Sequence, residues 1–224
     1  MFDLDDTLFL ERDYVRSGFR AVGAWLEGRL GIEGFFDRAW SAFEDGARGT
    51  IFNRALAEIG VDDSQELVSE LVDVYRNHEP DIAMQADARP CLEGLEGRAR
   101  LGLITDGPAA SQRAKARALD VGRWIPELIF TEELGPGLAK PHPLAFEVIQ
   151  ARTGCSGSQC TYVADNPAKD FQAPKHLGWN TVRVRRDGGL HAFLESGPDV
   201  DFELGDLTGL SQLVDGTTGR GALC

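Results

Sequence analysis

Four short apolar runs alternate with helical segments in the second half of the chain, and this alternation restricts the fold more than any other feature. The runs occupy residues 101–104, 128–130, 161–164 and 181–184. The intervening segments 109–119, 143–152 and 167–177 read as helices. Strands that alternate with helices along a chain assemble into a parallel sheet. The sequence therefore predicts an α/β fold with a parallel sheet.

Residues 13–84 have a different pattern, in which apolar side chains recur at helical spacing. The recurring positions are Val15, Phe19, Val22 and Leu26, then Phe36, Trp40 and Phe43, and then Leu67, Leu71 and Val74. Asp63 and Glu66 resemble a capping box that opens the last of these helices. We therefore expect a core of residues 1–12 and 85–214 with a helical insertion at 13–84. The Gly- and Thr-rich tail at 215–224 is expected to be disordered.

Charge and composition exclude several classes of partner. The 224 residues carry a formal net charge of −13, so no excess of Lys and Arg is present to neutralise nucleic acid or an anionic membrane. No apolar run approaches the roughly 20 residues that span a bilayer. The chain opens Met1-Phe2-Asp3 without the features of a secretion signal, and its four cysteines lack zinc-ligand spacing. We expect a cytoplasmic protein that acts on a small molecule; its oligomeric state is left open.

Polar side chains follow the apolar runs, at the edge of a parallel sheet where ligands bind. They are Asp3 and Asp5 near the start, Thr105 and Asp106 after the first run, Lys140 after the second, and Asp165 and Asp170 after the third. Because the carboxyl ends of parallel strands meet at one edge, we expect these side chains to converge.

The residue types at this edge suit phosphoryl transfer. Asp3 and Asp5 are two residues apart, and in an extended segment such residues point to the same side. An ionised Asp3 can attack phosphorus and form an aspartyl-phosphate, while a protonated Asp5 can protonate the leaving oxygen and then activate water. The hydroxyl of Thr105 and the N–H groups that follow can hold phosphate oxygens. Asp165 adds an oxygen ligand of the kind that Mg²⁺ requires.

Four segments resemble the sequence motifs of the haloacid dehalogenase (HAD) superfamily. The stretch Asp3-Leu4-Asp5-Asp6-Thr7 resembles the first motif, DxDxT, and residues 103–107 resemble the second, an apolar strand that ends in Thr or Ser. Lys140-Pro141 resembles the third motif, and residues 162–170 resemble the fourth, with GDxxxxD spacing. All four occur in order over nearly the whole chain, which makes the combination far more specific than any one of them.

The resemblance implies a Rossmann-like HAD core with an inserted C1-type helical cap, and a Mg²⁺-dependent phosphatase. The implied site comprises Asp3 as nucleophile, Asp5 as acid and base, Thr105, Asp106 and Lys140 at the phosphate, Asp3, Asp5 and Asp165 at the metal, and Asp170 as support for the metal ligands.

Two features depart from the family pattern. Ala164 stands where the family usually has Gly, and only Met1 and Phe2 precede Asp3, where the family has several apolar residues of a central strand. A shortened central strand loses ladder hydrogen bonds and buried side chains. We expect either that the natural start lies upstream or that this chain is a weakened variant. A chain extended by several apolar residues is expected to be more stable or more active.

The leading interpretation is a phosphomonoester hydrolase for a small metabolite such as a sugar phosphate, phosphoglycolate or a nucleotide. A phosphomutase of the β-phosphoglucomutase type is the alternative within the same chemistry. A dehalogenase is disfavoured, because the resemblance implies that dehalogenases lack a carboxylate at the position of Asp5. A signalling receiver domain is disfavoured because such domains are about half this length. The remaining alternative is a non-catalytic HAD-fold module, which the short first strand makes possible.

Overall fold

A computed structural model describes residues 1–217 of the chain. The chain divides into two compact units. The helical unit is Asp13–Ile82, and the α/β unit combines Met1–Arg12 with the described chain from Ala83 onward. None of the described helices has the length and apolar character needed to cross a membrane.

Four helices account for most of the helical unit. The first helix begins two residues before the unit does. They are α1 (Glu11–Leu30), α2 (Phe35–Glu44), α3 (Ile51–Glu58) and α4 (Gln65–Asn77). The buried ring of Phe19 on α1 packs edge-on against the rings of Phe43 (6.3 Å between centroids) and Phe52 (5.9 Å). Such aromatic contacts join α1 to α2 and α3. At the start of α4 the cap is Ser64, whose hydroxyl accepts the Leu67 N–H at 3.3 Å. The capping box predicted at Asp63 and Glu66 is therefore wrong: the cap lies one residue later, and Leu67 three residues after it cannot complete a box.

Gly18 marks the close approach of α1 and α4. A Cβ atom at this position would lie 2.4 Å from two ring carbons of Tyr75. The Tyr75 ring cannot move aside freely, because it packs against Tyr14, Phe19 and Phe52. We expect Gly18→Ala to lower the free energy of unfolding by about 1–3 kcal/mol, as overpacked sites do. Urea unfolding followed by circular dichroism measures the change.

Gly28→Ala, on the same helix, is the matched control. A Cβ atom at Gly28 would meet no heavy atom within 4 Å. The higher helix propensity of Ala is expected to stabilise this variant by up to about 1 kcal/mol. Equal effects of the two substitutions would contradict the steric explanation.

The α/β unit alternates helices and strands as predicted. Its elements are α5 (Ala88–Leu95), β1 (Gly102–Thr105), α6 (Ala109–Ala118), β2 (Glu127–Phe130), α7 (Leu144–Thr153), β3 (Thr161–Ala164), α8 (Gln172–His176), β4 (Asn180–Val184), β5 (Phe202–Leu204) and α9 (Leu210–Thr217). All strand pairs are parallel: β1 pairs with β2, and β4 pairs with both β3 and β5. The prediction of an α/β fold with a parallel sheet is confirmed. A disordered tail was predicted for residues 215–224. Residues 215–217 belong to α9, and residues 218–224 lie outside the described residues.

The N-terminal residues join the two strand groups into one sheet. Phe2 forms parallel bridges to Leu103 of β1 and to Val163 of β3. Its N–H donates to Gly102 O at 2.8 Å, its carbonyl accepts the Ile104 N–H at 2.9 Å, and the next N–H, that of Asp3, donates to Val163 O at 2.9 Å. The order across the sheet is therefore β2, β1, Phe2, β3, β4 and β5. This places Asp3 between β1 and β3, at the edge where both strands end.

The central strands β1 and β3 are buried along their whole length. Strands that are covered on both faces consist of continuous apolar residues, and for this reason β1 and β3 could be recognised in the sequence. On one side, Phe146 of α7 packs edge-on against Tyr162 of β3 (4.9 Å) and against Trp179 (5.6 Å). A rigid core thus supports the strand ends that carry the polar residues.

The helix predicted over 167–177 is shorter in the structure. It begins at Gln172, because residues 166–171 form a turn instead. In that turn the Asn166 N–H donates to Asp170 Oδ2 at 2.9 Å, and Asn166 Oδ1 accepts the Ala168 N–H at 3.0 Å. Side chains that bond to the local backbone compete with helix formation. The result is that Asp170 points back toward the end of β3.

Candidate functional site

Lys140 stands at the centre of the polar cluster at the carboxyl edge of the sheet. Its Nζ lies 2.8 Å from Asp3 Oδ1, 2.9 Å from Asp170 Oδ1 and 3.0 Å from Tyr162 Oη. The lysine is buried, with 5% of its surface exposed. Burial favours the neutral amine, but Asp170 and Asp3 outweigh it and raise the pKa of Lys140 well above its usual value. The ammonium therefore stays charged beside the predicted nucleophile.

Three buried carboxylates form the most acidic part of the cluster. Asp3, Asp165 and Asp170 each offer an oxygen atom, and these atoms lie within 4.8 Å of one another. Burial, followed by the charges of Asp170 and Asp3, raises the pKa of Asp165 to about 10. Burial also raises the pKa of Asp3 to about 6, against the opposing effect of Lys140. Carboxylates crowded in this way hold a proton or bind a cation.

The geometry fits a divalent cation. Oxygen atoms of carboxylates are the ligands that Mg²⁺ prefers. Asp170 Oδ1 forms an ion pair with the Lys140 ammonium at 2.9 Å. A carboxylate oxygen has further lone pairs with which it can also bind a metal ion. Asp3, Asp165 and Asp170 could therefore hold Mg²⁺.

Asp5 is brought near Asp3 but contacts a different set of side chains. Its Oδ1 lies 2.7 Å from Lys115 Nζ, and its Oδ2 accepts from Gln112 Nε2 at 2.8 Å. Both partners lie on α6. The carboxylate is therefore not part of the group formed by Asp3, Asp165 and Asp170. The structure brings Asp170, which was predicted only to support the metal ligands, into the carboxylate group with Asp3 and Asp165. The metal role of Asp5 stays a prediction.

Thr105 ends β1 with a hydroxyl that is completely buried. Its Oγ has no hydrogen-bond partner among the residues that the structure describes. An unmade hydrogen bond at a buried hydroxyl costs about 1–3 kcal/mol. A phosphate oxygen would satisfy this group, and the phosphate-binding role of Thr105 stays a prediction.

Asp106 takes part in the site through contacts that the sequence did not reveal. Its carboxylate accepts from Thr131 Oγ at 2.8 Å, from the Lys140 N–H at 3.1 Å and from Lys169 Nζ at 2.8 Å. Burial opposes ionisation, but Lys140 and Lys169 outweigh it and lower the pKa of Asp106. The carboxylate of Asp106 therefore holds Lys140 and Lys169 in place, and its place at the phosphate stays a prediction.

Asp6 shapes the turn between Asp3 and α1. It adopts a left-handed conformation, with φ of 49°. Its carboxylate accepts the N–H groups of Glu11 and Leu190, each at 2.8 Å. Short acidic side chains tolerate this conformation when they bond to nearby backbone groups. Asp6 therefore holds the backbone on which Asp3 and Asp5 are carried.

Sequence reasoning missed four side chains of the site: Lys115, Gln112, Lys169 and Tyr162. Lys169 had an available signal, because it precedes Asp170 within the fourth motif. Gln112 and Lys115 are three residues apart on α6, so they share a helix face. Only the tertiary structure shows that this face meets Asp5.

Comparisons with known proteins point to one family. A sequence model described as haloacid dehalogenase-like hydrolase matches residues 1–178. Glyceraldehyde 3-phosphate phosphatase from Methanopyrus kandleri is 30% identical over 216 residues, which covers 91% of each chain. The protein of that name from Methanocaldococcus jannaschii is 27% identical over 232 residues, covering 96% of this chain and 95% of the other. Among solved structures, the HAD-hydrolase YfnB from Bacillus subtilis bound to magnesium has a TM-score of 0.69 at 18% identity, with 96% of each chain covered.

Proposed function

Because the chain belongs to the haloacid dehalogenase-like hydrolases, we propose that it is a Mg²⁺-dependent phosphatase of small phosphorylated metabolites. One observation carries the proposal. The buried Lys140 ammonium lies between Asp3 and Asp170, and the hydroxyl of Thr105, at the end of β1, has no partner among the described residues. That arrangement supplies a nucleophile, a fixed positive charge and a donor for a phosphate oxygen.

In the proposed reaction, a carboxylate oxygen of Asp3 attacks phosphorus. A bond from Asp3 to phosphorus forms as the ester oxygen leaves, and the leaving oxygen takes a proton from Asp5. Water then attacks the aspartyl-phosphate and gives its proton to Asp5, which releases inorganic phosphate and restores Asp3. Lys115 and Gln112 hold the Asp5 carboxylate in the observed structure. They would orient the acid between turnovers.

Asp3, Asp165 and Asp170 would hold the Mg²⁺ ion, and the fit rests on their mutual distances and on their burial. When bound, the ion would neutralise charge on the phosphate and on the carboxylates. Lys140 and the Thr105 hydroxyl would bind phosphate oxygens alongside it. Lys169, anchored by Asp106, would add a second positive charge at the rim of the site.

The substrate is proposed to be a three-carbon phosphorylated aldehyde or a similarly small ester. Support comes from the two relatives named glyceraldehyde 3-phosphate phosphatase, which match more than nine tenths of this chain. The helical unit would act as the substrate-selecting cap that the family resemblance implies, of the C1 type.

A panel of phosphate esters tests the proposed activity. We expect Mg²⁺-dependent release of inorganic phosphate, with the highest kcat/KM for glyceraldehyde 3-phosphate among esters such as phosphoglycolate, hexose 6-phosphates and nucleoside monophosphates. Chromatography of the products separates hydrolysis from transfer to a second hydroxyl of the sugar. A product that retains the phosphoryl group would favour the phosphomutase alternative, and an inert chain would refute the enzymatic proposal.

A further inference from the structure

A fully buried arginine lies behind the carboxylate group, outside the machinery described above. Arg183 belongs to β4 and is paired with Ala164, the last residue of β3. Its Nε donates to the main-chain carbonyl of Asp165 at 3.0 Å. The arginine therefore contacts the backbone of a proposed metal ligand.

The remaining N–H groups of Arg183 bond to a loop that we call the bracing loop, residues 187–196, and to β5. Their acceptors are Leu194 O (2.8 Å), Ser196 Oγ (3.0 Å), His191 O (2.9 Å) and Glu203 Oε2 (3.3 Å). Burying a charged group is costly unless its donors are satisfied. Here the planar guanidinium is satisfied in several directions, which fixes its position.

The bracing loop also reaches the two acidic segments of the site. The Leu190 N–H donates to Asp6 Oδ2 at 2.8 Å, and Asn166 Nδ2 donates to His191 Nε2 at 3.1 Å. Arg183 thus organises a loop whose other contacts lie beside Asp3 and beside Asp165. Arg183 thus contacts Asp165 directly, and it is linked to the neighbouring Asn166 through His191.

Asp165 needs such support because a metal ligand must hold its oxygen atom in a fixed position. Its carboxyl group lies with those of Asp3 and Asp170 in a buried group. A shift of the Asp165 backbone would carry its oxygen atom away from the other two. The bond from Arg183 to the Asp165 carbonyl resists that movement.

We propose that Arg183 is a positioning residue that holds Asp165 in place for binding a divalent cation. The inference rests on the metal site of the proposed function. Groups that orient metal ligands typically change metal affinity by about 10–100-fold when they are replaced.

Arg183→Lys tests the proposal, because lysine keeps the charge but lacks the planar set of donors. We expect the dissociation constant for Mg²⁺ to rise by about 10–100-fold. It is measured by calorimetric titration and by the Mg²⁺-dependent rise in melting temperature, neither of which requires turnover. At saturating Mg²⁺, kcat should return close to that of the parent chain, which a general loss of structure would not allow.

Arg185→Lys is the matched control. Arg185 follows β4 and bonds to the same loop, with Nε donating to Ala192 O at 2.6 Å and a guanidinium nitrogen 3.3 Å from Glu195 Oε1. No bond from Arg185 to Asp165 is present in the described chain. Mg²⁺ affinity should therefore be unchanged in this variant. An equal loss of Mg²⁺ affinity in both variants would show that the integrity of the loop is what matters for binding. The contact from Arg183 to Asp165 would then have no special role, and the proposal would be overturned.

Unchanged Mg²⁺ affinity in a folded Arg183→Lys variant would also overturn it. If that variant does not fold, Glu203→Gln replaces an exposed acceptor of Arg183. It should weaken Mg²⁺ binding in the same direction and by less, and no change would count against the proposal. A parent chain that binds Mg²⁺ but cleaves no phosphate ester refutes the proposed phosphatase alone. A parent chain that binds no Mg²⁺ refutes the metal site and this inference together.

Discussion

Asp3→Asn is expected to abolish phosphatase turnover while leaving the fold intact. An amide cannot form the aspartyl-phosphate, and enzymes that lose a covalent nucleophile lose activity on the order of 10⁶-fold. Lys140 keeps a charged partner in this variant, because Asp170 lies 2.9 Å from its Nζ. Phosphate release under substrate saturation measures the loss.

Stability gives an independent check on the same variant. Folding raises the pKa of Asp3 from 3.8 to about 6, so above that pH the ionised carboxylate costs stability in the folded chain. In Mg²⁺-free buffer at neutral pH, the neutral amide should leave the melting temperature unchanged or raise it. Asp62→Asn, at an exposed position of the helical unit, controls for the chemical change and should keep full activity. Parental activity in Asp3→Asn would show that another group is the nucleophile.

Removal of Mg²⁺ is expected to reduce activity to the background rate. Without the ion, the buried carboxylates of Asp3 and Asp170 would repel a phosphate dianion, and Lys140 offsets only part of their charge. Activity in excess chelator should vanish and should return when Mg²⁺ is added. Full activity in the chelator would contradict the proposed metal role.

Asp165→Asn makes the metal prediction specific to the site. Loss of one carboxylate ligand should raise the Mg²⁺ concentration for half-maximal activity by at least about tenfold, the lower bound seen even for residues that only support ligands. The Mg²⁺-dependent rise in melting temperature should shrink in parallel. Asp206→Asn, at an exposed position in the same unit and outside the bracing loop, should leave both quantities unchanged.

The fold class and the family could be predicted because their signals are local. Residues 101–104 and 161–164 are continuous apolar runs since β1 and β3 are covered on both faces. The family resemblance is confirmed by a match over residues 1–178. The elements that the sequence did not reveal, such as β5 (Phe202–Leu204), are short and partly exposed, so their pattern is weak.

The candidate site also has one part that the sequence predicted and one part that it did not. Convergence of Asp3, Thr105, Lys140 and Asp165 at one edge was predictable, because parallel strands end on the same side of a sheet. The pairing of individual side chains at that edge was not predictable. Periodicity could not show that Asp5 meets Lys115, since that contact joins residues 110 positions apart.

By itself, the sequence determined the order of the strands and helices, the family, and the set of acids, hydroxyl and lysine at the strand ends. Apolar periodicity and short motifs carry that information within a few residues. Tertiary structure alone decided that Asp170 joins Asp3 and Asp165, that Asp106 anchors Lys169, and that Arg183 contacts the backbone of Asp165. The physical reason is that charged side chains act on one another through space in a buried, weakly screened region. Their partners are therefore set by the packing of β1, β3, β4 and α6, and not by their spacing along the chain.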